Sequence, residues 1–148
     1  MLFRSNSRPY LTEHFFDFLF ENFKDKLFMA IAKLDGENIA ASLSIIGLDT
    51  LYGRYWGALK YIPNLHFELC YYQGQEFCIE KNLNFFEGGA QGEHKLARGF
   101  EPINTYSCHY ITHESFRNAI KEFLDEELTH MDIYSENLSL RSPLKKTN

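Results

Sequence analysis

The side chains best suited to chemistry fall in two stretches of the chain. Arg54 and Tyr55 are followed by His66 and Glu68, and Glu87 leads into Gly88-Gly-Ala-Gln-Gly-Glu-His-Lys-Leu-Ala-Arg98. Either His66 or a carboxylate could take the proton from an attacking amine. Lys95, Arg98 or backbone N–H groups of the glycine-rich segment could stabilise an oxyanion or a phosphate. Gly88, Gly89, Gly92 and Gly99 allow backbone shapes that other residues resist. With Gln91, Glu93 and His94 among them, the segment 88–102 is too glycine-rich for a helix or strand and too long for a simple connector. It reads as a functional loop, cationic in an acidic chain.

Each candidate has a plainer reading. Arg54, in an otherwise apolar stretch, suits an ion pair with Glu68 or Glu87 that holds a helix to a sheet, and this stands level with a catalytic role. His66 more often makes hydrogen bonds at a helix start than acts as a base. Tyr52, Tyr55, Trp56, Tyr71 and Tyr72 suit core packing, although Trp56 could also face a ligand. His109 and His113 are read as structural.

The elements that must position these groups follow from periodicity. Phe15, Phe16, Leu19 and Phe23 recur at helical spacing behind Thr12, predicting a helix over 12–24 with Thr12 as N-cap. Strands are predicted at 27–34, 38–46 and 50–58, with Asp35-Gly36 as a hairpin turn, which makes an antiparallel meander. A helix is predicted over 65–81, with Phe67, Cys70, Tyr71, Gly74 and Cys78 as its buried stripe and Gly74 allowing close packing. A strand at 83–88 completes a βαβ crossover, so the strands ending near Leu59 and Glu87 should be parallel. A further strand is predicted at 105–111 and a closing helix at 114–128, with a polar tail from Tyr134.

The first half places Arg54, Tyr55 and Trp56 on one parallel strand and Glu87 on its neighbour. Ligands of open α/β sheets gather beyond the carboxyl ends of such strands, so Arg54, His66, Glu68, Glu87, His94, Lys95 and Arg98 are expected to converge on one cleft. Tyr55, Trp56, Gly89, Gln91, Gly92, Glu93, His94, Lys95 and Arg98 would then bind substrate or donor, and His66, Glu68, Glu87 and Arg54 would act on it.

Composition narrows the classes further. A net charge of −5 argues against general affinity for nucleic acid backbones. Cys70, Cys78 and Cys108 have no metal-ligand spacing and read as free thiols in a reducing compartment, so no metal site is expected. The most apolar run, Phe15 to Phe20, is too short to span a bilayer and is broken by Asp17. The N-terminus lacks a signal peptide's apolar region, and the chain reads as cytoplasmic.

A meander feeding a βαβ unit is similar to the Gcn5-related acetyltransferase architecture, an α+β or mixed α/β fold whose two parallel strands splay around the acyl donor. Three segments sharpen this: Arg4-Ser-Asn-Ser-Arg-Pro-Tyr-Leu11; Leu51-Tyr-Gly-Arg-Tyr-Trp-Gly57 with Leu65-His-Phe-Glu-Leu-Cys-Tyr-Tyr72; and Gly89-Ala-Gln-Gly-Glu-His-Lys-Leu-Ala-Arg-Gly-Phe100, followed by Pro102, Thr105, Tyr106, Ser107 and His109. Together they resemble the C-terminal part of the FemAB-like family, N-acyltransferases of the peptidoglycan biosynthesis or recognition type. The resemblance implies acyl or aminoacyl transfer to a small-molecule or peptide amine. The donor would be acyl-CoA or aminoacyl-tRNA, with no permanently bound cofactor. Family members resemble two tandem halves, so it also implies one acetyltransferase-like domain over 1–133, truncated at its N-terminus, with a tail at 134–148. Such a piece would self-associate or pair with a missing first half through the phenylalanine-rich early helix, and be weakly active or inactive alone. The alternative is a non-catalytic binding module or remnant. One feature weighs against ordinary acetyl-CoA use: the turn Tyr61-Ile-Pro-Asn-Leu-His-Phe-Glu68 has no glycine, Pro63 has no N–H, and Glu68 would repel a pyrophosphate.

Overall fold

The computed structural model describes residues 11–89 and 92–139. The chain divides into two compact units, residues 1–91 and 92–148.

The first unit opens with helix α1 (Glu13–Phe23), which starts after an extended Thr12. The threonine sits where the N-cap was expected, but its side chain makes no capping bond. Three antiparallel strands follow: β1 (Leu27–Leu34), β2 (Glu37–Ile46) and β3 (Thr50–Ala58). Asp35 and Gly36 join the first two with φ of 53° and 86°, the pair of positive values that a tight hairpin turn requires. Strand β4 (Phe85–Glu87) pairs parallel with β3, giving the sheet order β1-β2-β3-β4. The parallel crossover expected from the βαβ pattern is therefore present.

The crossover helix is continuous over 65–81 but not uniform. It consists of α2 (Leu65–Phe67), a π-helical turn (Glu68–Tyr72) and α3 (Gln73–Lys81). Asn64 enters it and Asn82 leaves it in the left-handed region, with φ of 65° and 54°. The π turn accommodates an extra residue, so the buried set is Leu69, Tyr71, Gly74 and Cys78. Phe67 and Cys70, expected in the buried stripe, are only half-buried. Leu69, absent from that stripe, joins Ala30 and Ala40 in the core, with Phe28, Trp56, Ala58 and Leu65 packed around them.

Small residues on the sheet set the distance of this helix. Ala30, Ala40, Ser42 and Ser44 are buried, and the Ser42 hydroxyl donates to the Leu69 carbonyl at 2.7 Å. Gly74 completes the contact. A Cβ there would stand 2.5 Å from the Phe86 ring and 3.4 Å from Leu51, a side chain with no exposure.

The second unit contains a 3-10 helix (Glu93–Arg98) and helix α4 (Glu114–Ser139). The glycine-rich segment is therefore partly helical, contrary to its reading as a loop. Its glycines stand at the borders, with Gly92 and Gly99 at φ of 112° and 83°, while the residues between them are ordinary helix formers. The strand predicted at 105–111 does not form. Both phases of its alternation are exposed, Tyr106 to 93%, so the pattern marks no buried face. Helix α4 runs past 128 to Ser139, through the start of the predicted polar tail, and Leu138 near its end is buried. Of the apolar face that its spacing predicts, Phe116, Ala119, Ile120, Phe123 and Leu124, Ile120 is half-buried and the other four are exposed.

Substituting Gly74→Ala is expected to destabilise the chain by about 1 kcal/mol. Crowding against Phe86 and Leu51 costs roughly 1–3 kcal/mol, and the better helix propensity of alanine offsets up to about 1 kcal/mol of that. Urea unfolding checks this, and a midpoint equal to or above that of the wild type would show that Phe86 moves aside freely.

Candidate functional site

The site is built where β3 and β4 part. Their pairing covers only Thr50–Tyr52 against Phe85–Glu87, whereas β3 continues to Ala58. Among the described residues, β3 beyond that point has a strand neighbour on the β2 side only. The register of β2 against β3 steps from Leu43↔Tyr55 to Ser44↔Gly53, so Arg54 is an extra residue, a β-bulge. A bulge re-aims its side chain, and here it turns the guanidinium toward the neighbouring parallel strand. Arg54 Nη2 lies 3.4 Å from Glu87 Oε2, Nη1 donates to the Gly53 carbonyl at 2.9 Å, and the guanidinium carbon stands 5.1 Å from the centre of the Tyr52 ring.

Of the two expected partners for Arg54, Glu87 is the one it meets. The pair is not buried, however, since the side chains are 37% and 40% exposed. Gly53 lies against the same strand: a Cβ there would stand in ordinary contact with the Glu87 carbonyl at 3.5 Å and Gly88 at 4.0 Å. The result is a solvent-facing pair of opposite charges at the carboxyl end of a parallel strand pair, followed directly by Gly88 and by Gly89 at φ of 89°.

The remaining candidates of the first unit lie in other settings. His66 packs its ring edgewise against Trp56 at 5.3 Å and Tyr71 at 5.6 Å, within an aromatic cluster under the helix. Glu68 is exposed and accepts from Gln73 at 3.0 Å, inside the π turn. Trp56 packs on the core, as its packing reading expected. Tyr55 points to the opposite face, where its ring meets Phe15 and Phe16. There Phe16, Phe20, Met29, Ile31, Leu43 and Tyr55 are among the residues lining an open apolar groove of about 400 Å³.

In the second unit, His94, Lys95 and Arg98 share the 3-10 helix, and Arg98 donates to the His94 carbonyl. A Cβ at Gly92 would strike the His94 ring. Gln91 lies outside the described residues, as does the side chain of Glu93. Ser107 and His109, quoted in the sequence only as part of a motif, form a hydrogen bond of 2.8 Å on the exposed stretch before α4.

The thiols are set apart by desolvation. Burial pushes Cys70 up to about 12 and raises Cys78 as well, so both are protonated at neutral pH and poor nucleophiles. Cys108 is exposed.

Compared with known proteins, residues 2–146 match the family model FemAB-like, described as peptidoglycan biosynthesis/recognition. No curated protein and no solved structure matches the chain.

Two outcomes follow. Arg54→Ala and Glu87→Gln are each expected to change stability by less than about 1 kcal/mol, because an exposed ion pair contributes little; thermal unfolding checks this. The raised thiols predict the second. Ionised Cys70 is disfavoured in the folded chain, so its contribution is intact below the unfolded thiol value and is lost as pH climbs toward 12. The fall of stability over that alkaline range should be shallower in Cys70→Ala than in wild type, measured by urea unfolding at stepped pH.

Proposed function

The chain belongs to the FemAB-like family, and from that premise we propose that it is an N-acyltransferase, moving an acyl or aminoacyl group to an amine. The observation that carries the reading is the Arg54–Glu87 pair at the fork of β3 and β4. It supports an acetyltransferase-like role for the sheet, with the reacting groups entering where the parallel strands part. In this reading the amine nitrogen attacks the donor's carbonyl carbon, and Glu87 accepts the proton the nitrogen loses. As the tetrahedral centre collapses, the bond to the donor's sulfur or ribose oxygen breaks, and Glu87 returns the proton to that atom, so that a thiol or hydroxyl departs. Arg54 holds a phosphate or carboxylate of the donor or acceptor, a task suited to its planar fork.

The reading has the chain working in the cytoplasm, where acyl-CoA and aminoacyl-tRNA are made. No helix among the described residues is long and apolar enough to cross a membrane. The turn into the crossover helix offers no glycine-rich phosphate cradle. Asn64 fills its left-handed position and Pro63 lacks an N–H, which favours aminoacyl-tRNA over acyl-CoA as donor.

A second reading has its own observation. His66 is packed among aromatic rings and Glu68 accepts from Gln73 on the same helix, so two of the four candidate catalytic side chains are engaged within the fold. A binding module that keeps the fold but not the reaction would look like this.

The two readings separate in one assay. The full chain is incubated with labelled acyl-CoA or labelled aminoacyl-tRNA and a mixture of amine acceptors, and transfer is followed with Glu87→Gln in parallel. Transfer from the tRNA donor, reduced roughly 100-fold or more in the variant, is expected. Absence of transfer from either donor, with acceptor peptides still bound, would establish the non-catalytic module instead.

A further inference from the structure

The outer edge of the sheet is unlike the edges of most monomeric proteins. β1 (Leu-Phe-Met-Ala-Ile-Ala-Lys-Leu) is hydrogen-bonded on one side only among the described residues. Its other side offers a row of backbone N–H and C=O groups. Natural edge strands are blunted by charges, proline or bulges. Here the single charge, Lys33, stands near the far end. The bulge in the first hairpin places its extra residue, Ile39, on β2 rather than on β1. From Phe28 to Ala32 the edge is uncharged and uninterrupted, and Met29 and Ile31 are each 42% exposed beside the apolar groove.

We propose that this edge pairs with the same edge of a second copy, joining two four-stranded sheets into one continuous sheet of eight strands. The occupant follows from symmetry and pattern. Antiparallel strands paired about a two-fold axis place opposite residues on the same face, so the axis passes through a residue or between residues of equal parity. With Ala30 on the axis, Met29 of one copy lies opposite Ile31 of the other, and Phe28 lies opposite Ala32. The four exposed side chains at 29 and 31 then form one apolar strip on the α1 face, continuous with both grooves and with Phe20 of each copy. On the other face Ala30 meets Ala30 at the axis, and each Phe28, stacked on Phe77 of its own chain, stands beside the small Ala32 of the other copy. No like charges fall opposite one another between 28 and 32. A single strand pair buries less than the roughly 1,200 Å² of a standard interface, so this dimer dissociates on dilution. It also strengthens with added salt, because each copy carries a net charge of −5.

The experiment uses the full chain with Cys108→Ser, which removes the exposed thiol. Sedimentation velocity is expected to show monomer and dimer exchanging with concentration. The variant Met29→Lys with Ile31→Lys is expected to be monomeric throughout, with unchanged circular dichroism. A wild-type chain that stays monomeric at every concentration would sink the proposal, and so would a dimer that survives both lysines. Should the lysine variant misfold, Met29→Cys with Ile31→Cys decides. Mild oxidation should link two chains covalently through positions 29 and 31, and failure to cross-link overturns the pairing.

Discussion

The rest of the first unit depends on how closely the crossover helix approaches the sheet. A helix of leucines and tyrosines laid on a sheet of valines and isoleucines would stand about 10 Å away. This sheet instead presents Ala30, Ala40, Ser42, Ser44 and Ala58, and the Ser42 hydroxyl reaches the helix backbone itself at the Leu69 carbonyl. Buried serines cost free energy unless they are bonded, so the contact of Ser42 to Leu69 also fixes where along the helix the sheet must sit. The π turn lies at that point. A helix can tighten or widen only where its backbone groups find other partners, and Leu69 finds one in the sheet.

That docking determines the geometry of the fork. Because the helix crosses the sheet and returns at β4, the chain enters β4 parallel to β3, and Phe86 is caught between Gly74 and Gly53. One residue later Glu87 is in register with Tyr52, and the bulge brings Arg54 across to it. An exposed ion pair contributes at most about 1 kcal/mol, far less than the apolar burial beneath it. The ion pair's own stability therefore gives little reason for a bulge at this place. What the arrangement does is hold two opposite charges, accessible to solvent, at the end of a parallel strand pair.

Much of this was legible in the chain, and the failures are instructive. The hairpin at Asp35-Gly36 and the three-strand meander follow from local pattern, the parallel β3–β4 pair follows from the strand–helix–strand order, and Gly74 marks its close approach by residue type. The π turn was not legible, since nothing in Glu-Leu-Cys-Tyr-Tyr departs from ordinary helical preference; the Leu69 carbonyl within it accepts from Ser42, twenty-seven residues away. The bulge was equally hidden, because Arg54 looks like any polar interruption of a strand until β2 supplies the register. The segment 105–111 failed for the opposite reason. Tyr106, Cys108 and Tyr110 alternate as a strand does, but alternation predicts a strand only when one phase is buried, and here neither is. At the site, charge type and strand ends were enough to find Arg54 and Glu87. They were not enough to distinguish them from His66, whose ring belongs to an aromatic cluster that only tertiary packing reveals.

The two faces of the sheet are thus put to different uses by the same small set of residues. The helix face is filled: Leu69, Tyr71 and Cys78 are buried, Phe28 stacks on Phe77 at 4.2 Å, and Cys70 is held protonated by desolvation. The α1 face is covered in part. Phe15 and Phe16 reach Tyr55, whereas Phe18, Phe20 and Phe23 remain exposed on the same helix. A helix with phenylalanines around more than one side cannot bury them all against one sheet, whatever its tilt, since residues two apart, as Phe16 and Phe18 are, face nearly opposite directions. The excess apolar surface on α1 is therefore a property of the sequence itself, and it lies beside a groove, an edge strand and a fork that also remain open. The helix face supplies the geometry, and the α1 face leaves apolar surface exposed.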